Sequence, residues 1–162
     1  MYGFTGGDPI NFSDPFGLEL EINGKVLRVA VKILRSSNAE ANAVFTALET
    51  SKQKFVMFEV TESSCKYCRL DYSGVALDYA DQSNRNRIAM VEMHGENSEQ
   101  LADRRGVASI NPDHPSVVRD GLAAAAWHEA NHLKGIATKG RLSVHCTSDF
   151  KGVPNPCPSG QP

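Results

Sequence analysis

The amino-acid sequence predicts an α+β fold, a mixed or mostly antiparallel sheet followed by a late helix that carries the reactive side chains. Three observations predict it. Short β-branched and aromatic runs recur at residues 54–60, 88–93 and 107–110, separated by stretches whose apolar residues have helical spacing. An alanine-rich segment over residues 116–133 opens on Ser116 and contains Trp127-His128-Glu129-Ala130-Asn131-His132. The chain has 162 residues, 41% hydrophobic and 22% charged, which suits one globular domain and excludes a wholly disordered chain or a coiled coil.

In chain order, residues 1–18 are rich in Gly, Pro, Asp and Asn and read as turns. Residues 18–34 read as a β-hairpin. Asn23-Gly24 suits the positive φ angles of a type I′ turn, and Val26, Val29, Val31 and Ile33 supply β-branched flanks. Ser36 or Ser37 caps a helix over residues 38–51, with Val44, Phe45 and Leu48 as its apolar stripe. Residues 54–60 read as a buried strand. The polar residues 61–72 read as a loop or tight hairpin that carries Cys65 and Cys68. A strand over 88–93, a short helix over 97–105 and a strand over 107–110 follow. The late helix then stops at Gly135. No apolar run is long enough to span a membrane, and no basic-then-apolar start marks a signal peptide.

The chemistry lies in the late helix. His128 and His132 are four residues apart and share one face, where their imidazoles can hold one Zn²⁺. Glu129 can reach a water at that ion and act as general base, which allows an amide to be hydrolysed without a covalent intermediate. A third protein ligand is needed: His145 leads, followed by Asp149 and then Cys146. The segment resembles the zincin-type peptidases, whose active helix carries H-E-x-x-H near an edge strand. That resemblance implies a zincin-like fold with residues 107–110 as the edge. The longer pattern H-E-x-x-H-x-x-G-x-x-H is matched as far as Gly135, but Thr138 stands where its last histidine would be.

Cys65 and Cys68 admit three states: a Cys₄ zinc site with Cys146 and Cys157, disulfides, or free thiols. His94 and His114 read as strand-end and turn residues. Tyr67, Tyr72 and Tyr79 are candidates to stabilise an oxyanion. A zinc deaminase would place its C-x-x-C after the histidine–glutamate pair, and here the order is reversed. A net charge of −2 does not favour nucleic acid as a partner, so a nuclease is an alternative only. The other alternative is a non-enzymatic, zinc-stabilised module.

Ahead of this domain stand Tyr2, Phe4, Gly7-Asp8-Pro9-Ile10-Asn11 and Asp14-Pro15-Phe16-Gly17-Leu18. The string resembles the end of the core of Rhs/YD-repeat proteins, and its last five residues match that family's D-P-x-G-L boundary. The resemblance implies that residues 1–18 close a hollow β-shell, with a cut at Leu18–Glu19 in which Asp14 takes part. Residues 19–151 are then a toxin domain and 152–162 an irregular tail. It further implies an antibacterial effector, delivered by its parent shell through a contact-dependent or type VI system into the cytoplasm of a target cell. A target-cell protein would be its substrate, and a cognate immunity protein would protect the producer.

Overall fold

The computed structural model describes residues 19–65, 68–95, 101 and 103–154. The 14–18 motif, the Leu18–Glu19 junction, Tyr67, Cys157 and most of the 97–105 helix therefore lie outside the described residues. In chain order the elements are β1 (Leu20–Asn23), α1 (Lys25–Ser37), α2 (Ala39–Glu49), β2 (Phe55–Glu59), β3 (Gly74–Asp78), α3 (Asn84–His94), β4 (Gly106–Ile110), α4 (Pro115–Asp120) and α5 (Leu122–Lys139), then a 3₁₀ turn, Ser148–Phe150.

The strands form one four-stranded sheet in the order β1-β2-β4-β3. β1 and β4 both run parallel to β2, and β3 runs antiparallel to β4. The fold is α+β with a mixed sheet, and its antiparallel pairing is confined to one edge. The interior strands β2 and β4 are buried almost throughout, as strands covered on both faces must be. Alternation divides their side chains between two cores. Phe55, Met57, Ala108 and Ile110 join the larger core with α1, α2 and α5, while Val56, Phe58 and Val107 join the smaller one with Cys65 and Tyr79.

Residues 25–37 are a helix and not the second arm of a hairpin. Leu27, Val31 and Leu34 turn inward at helical spacing, whereas the β-branched Val26, Val29 and Ile33 stay exposed. A distant residue settles where this helix starts. The Glu59 carboxylate, at the end of β2, accepts a hydrogen bond from Leu27 N–H at 2.8 Å and caps an N-terminus that no local side chain caps. α1 runs through Ser36 and Ser37, so the cap of α2 is Asn38, whose side chain accepts from Ala41 N–H at 2.9 Å.

Residues 88–93 are helical as well, within α3. Ser83 Oγ caps that helix by accepting from Asn86 N–H at 3.2 Å, and Ile88 and Val91 point outward. The strand at 107–110 is present, but it is interior; the edge next to it is β3, a half-buried strand the sequence pattern does not announce. The late helix is broken at Gly121, where φ is 101°. Gly135 does not stop α5, which continues to a left-handed cap at Gly140. At the start of the 152–162 segment Val153 is buried in the larger core. No helix among the described residues is long and apolar enough to cross a membrane.

Candidate metal centre

α5 buries Ala126, Trp127, Ala130, Leu133 and Ile136 against the sheet. The same packing turns Gly121, Ala124, Ala125, His128 and His132 towards a cleft of about 840 Å³. Its opposite wall is Gly74, Val75 and Ala76 of β3, and Tyr72, Ser116 and Pro154 stand at its rim. His145, on the segment after α5, closes the group. His128, His132 and His145 present ligand atoms that all lie within 4.8 Å of one another, so they could hold a metal ion.

The hydrogen atoms favour a cation there. His132 Nδ1 donates to the Ser143 carbonyl at 2.6 Å, which leaves the Nε2 of a neutral ring with a lone pair. The His145 Nε2 lies 3.0 Å from that atom and 2.8 Å from His128 Nε2. One hydrogen on His145 serves two neighbours poorly, whereas a cation at the common centre takes all three lone pairs. Imidazole nitrogens about 2.0–2.1 Å from a tetrahedral ion stand roughly 3.3 Å apart, so His145 would move a few tenths of an ångström from each neighbour, while the His128–His132 pair, within 4.8 Å, would close around the ion. Burial pushes His128 and His132 down to about 4; repulsion from His132 and His145 adds to this at His128, and at His132 the Ser143 carbonyl partly opposes burial while His145 adds to it, so both are in the neutral, ligating form at pH 7.

Glu129 is 6% exposed, and no hydrogen bond or ion pair reaches its carboxylate among the described residues. Burial raises its carboxyl to about 8. It points at β3: a Cβ on Gly74 would lie 3.0 Å from Glu129 Oε2 and 3.0 Å from the Ser109 carbonyl oxygen. β3 also offers an open edge. Asn111 N–H donates to the Ser73 carbonyl and Tyr79 N–H to the Arg105 carbonyl. By the alternation of an antiparallel ladder, Gly74, Ala76 and Asp78 then turn their backbone groups away from β4.

The other candidates have different work. Asp149 lies outside the histidine cluster; it accepts from Lys139 Nζ and, at 2.9 Å, from Ser143 Oγ, and the lysine holds its carboxyl below the usual range. Cys146 is disulfide-bonded, and Cys65 is joined to Cys68, so neither the Cys₄ site nor free thiols are present. Thr138 Oγ1 donates to the Lys134 carbonyl along its own helix. His114 caps α4: its Nδ1 accepts from Ser116 N–H and its Nε2 donates to the Asp71 carbonyl. His94 is fully buried in α3, 2.6 Å from Tyr79 Oη, so of the described tyrosines named above only Tyr72 is at the cleft.

Three contributors escape sequence reasoning. Ser143 clips His132 at both ends, since its N–H also donates to the His132 carbonyl at 3.1 Å. Phe150 backs all three imidazoles, with ring centroids 4.8–5.5 Å away. Gly74 leaves room for Glu129. None carries a local motif; only the short distance from His132 to residues 143–150 hints that the chain returns. No family model, curated protein or solved structure matches the chain.

Proposed function

We propose that this chain is a zinc-dependent endopeptidase domain of zincin-like fold, carried at the end of an Rhs-type antibacterial effector. One observation carries the reading: three imidazoles converge beside a buried, unpartnered carboxylate on the wall of an open cleft. Three protein ligands leave a position free, as a catalytic site requires and a structural one does not. When bound there, zinc would polarise a substrate carbonyl and lower the pKa of water towards neutrality.

The chain's own residues do the rest. Glu129 would take the proton from water and hand it to the departing nitrogen: burial favours its protonated, donating form, and a cation held by the histidines beside it would favour the carboxylate that accepts. The open edge of β3 pairs with an extended peptide and lays it along the cleft. Tyr72 at the rim can donate its hydroxyl to the oxyanion. The Asp14-Pro15-Phe16-Gly17-Leu18 boundary supports delivery by a parent shell, with a target-cell protein as substrate and an immunity protein that covers the cleft.

Glu129→Gln tests the reading. It should keep one metal ion per chain by elemental analysis and lose on the order of 10²–10⁴-fold in peptide hydrolysis. Toxicity in a cell without the immunity protein should go with it. A variant that stays toxic, or a wild type that binds no metal, overturns the peptidase.

A further inference from the structure

His128 and His132 are held by α5, but His145 stands in the irregular segment after it. A ligand on a loop needs support from outside its own backbone. Its own ring meets only the other two imidazoles and Phe150, and among the described residues no hydrogen bond holds its backbone: Ser143 is tied to His132, and Thr147 Oγ1 donates to the Val144 carbonyl at 3.0 Å. The residue next to it, Cys146, is disulfide-bonded. Cys146 is also the one non-glycine among the described residues with a positive φ, 66°. Side chains rarely adopt that backbone, so surrounding structure must impose it.

We infer that the disulfide at Cys146 is a positioning device for His145, so that the metal centre is complete only in the oxidised chain. This rests on the metal reading above and adds a redox condition to it. Cys65–Cys68 is oxidised as well. A chain built this way takes up its metal in an oxidising compartment, such as the space outside a target cell's cytoplasmic membrane, and loses grip on it in a reducing cytosol. That would place the working site outside the cytoplasm, the destination expected from the sequence.

The test is Co²⁺ affinity, read from the visible absorption of the bound ion. Three forms would be compared: the oxidised chain, the reduced and capped chain, and Cys146→Gly. Reduction uses a water-soluble trialkylphosphine. Each S–S bond breaks, phosphorus takes the oxygen of a water to become the phosphine oxide, and the two sulfurs keep the water's hydrogens as thiols. Iodoacetamide then caps the thiols so that they cannot bind metal. Cys146→Gly removes the cross-link and keeps a residue at ease with positive φ. If it fails to fold by circular dichroism, Cys146→Asn replaces it.

Both altered forms should bind Co²⁺ on the order of 10–100-fold more weakly. At saturation they should also show a weakened tetrahedral band, because the third nitrogen is misplaced. A disulfide that only stabilised the fold would leave the saturated spectrum unchanged, and that result overturns the positioning role. So does equal affinity in all three forms, or a loss confined to the reduced chain, which would belong to Cys65–Cys68. If the oxidised chain takes up no Co²⁺, or takes it up equally after His128→Ala, the metal reading itself fails.

Discussion

On the reading proposed above, the single carbon missing at Gly74 is what leaves Glu129 free to act as the general base. A Cβ at 74 would press on the Glu129 carboxylate and on the Ser109 carbonyl, and the latter is backbone that cannot yield. Gly74→Val should therefore leave metal content intact and cut turnover by tenfold or more, since a general base misplaced by about 1 Å can cost about 10²-fold. Steady-state kinetics beside elemental analysis would separate the two effects. On the same reading Asp149 would act the other way round, on the metal and not on the proton. Through Ser143 it steadies His132, so Asp149→Ala should weaken metal binding about 10–100-fold in a chelator competition, with Asp149→Asn retaining most of it. His94 has no part in the site and yet sets an acid limit on the fold. Burial holds it down at about 3, against about 6.5 in an unfolded chain. Between those values the unfolded chain takes up a proton that the folded chain refuses. Stability should then fall as pH drops from about 6.5, by up to about 1.4 kcal/mol per pH unit. The group facing it is Tyr79, whose hydroxyl burial keeps protonated. Urea melts from pH 7 to pH 4 should show the slope, and it should flatten in the double variant His94→Phe, Tyr79→Phe. Removing both partners avoids stranding one polar group. His128 and His132 contribute in the same sense and Glu129, raised to about 8, in the opposite one, so the double variant keeps the net slope of these three.

At the scale of elements, α5 poses a test in which local propensity and tertiary packing disagree in sign. Alanine is the better helix former, and Gly135→Ala in an exposed helix would stabilise by about 1 kcal/mol. Here the added carbon would meet Ser143 N and Ser143 Oγ at 2.4 Å and the Arg141 carbonyl oxygen at 2.5 Å. The segment that returns to clip His132 would be pushed off. Gly135→Ala should lower both the melting temperature and metal affinity; a rise in either would show that the close approach at Gly135 is not needed. The same conflict explains the elements that pattern alone misassigns. α1 carries enough Val and Ile to look like a strand, but Leu27, Val31 and Leu34 bury at helical spacing and Glu59 caps the start from a distant strand. In α3 the apolar run Ile88-Ala89-Met90-Val91 is too short to declare its period, and the cap at Ser83 decides. β1, as the first arm of the expected hairpin, α2, β2, β4 and the late helix were legible: β2 is almost wholly apolar, β4 is broken only by Ser109, α2 has an apolar stripe at helical spacing, and the alanine-rich helix has few other options.

For the whole molecule, the two cores lie behind and in front of the sheet, while the histidine cluster sits at the cleft between α5 and β3. Folding therefore has its main support elsewhere. Chelation should leave the far-ultraviolet circular dichroism unchanged and lower the melting temperature. An ion present at a hundred times its Kd contributes about 2.7 kcal/mol, which is roughly 5–10 °C for a domain of this size. Collapse of the secondary structure on chelation would instead favour a zinc-stabilised module.

By itself the sequence determined which side chains one helix brings together. His128, Glu129 and His132 share a face because the helix repeats every 3.6 residues, and that needs no tertiary information. It also pointed to His145, though with Asp149 and Cys146 still open. Only the tertiary structure showed which of them lies beside the helix pair, by folding the segment after α5 back so that His145 joins His128 and His132, Ser143 meets His132 and Asp149 turns to Lys139. It alone supplied β3 as the wall of the cleft and Gly74 as the space for Glu129. Contacts between residues far apart in the chain depend on how whole elements pack, and no short stretch of sequence carries that packing.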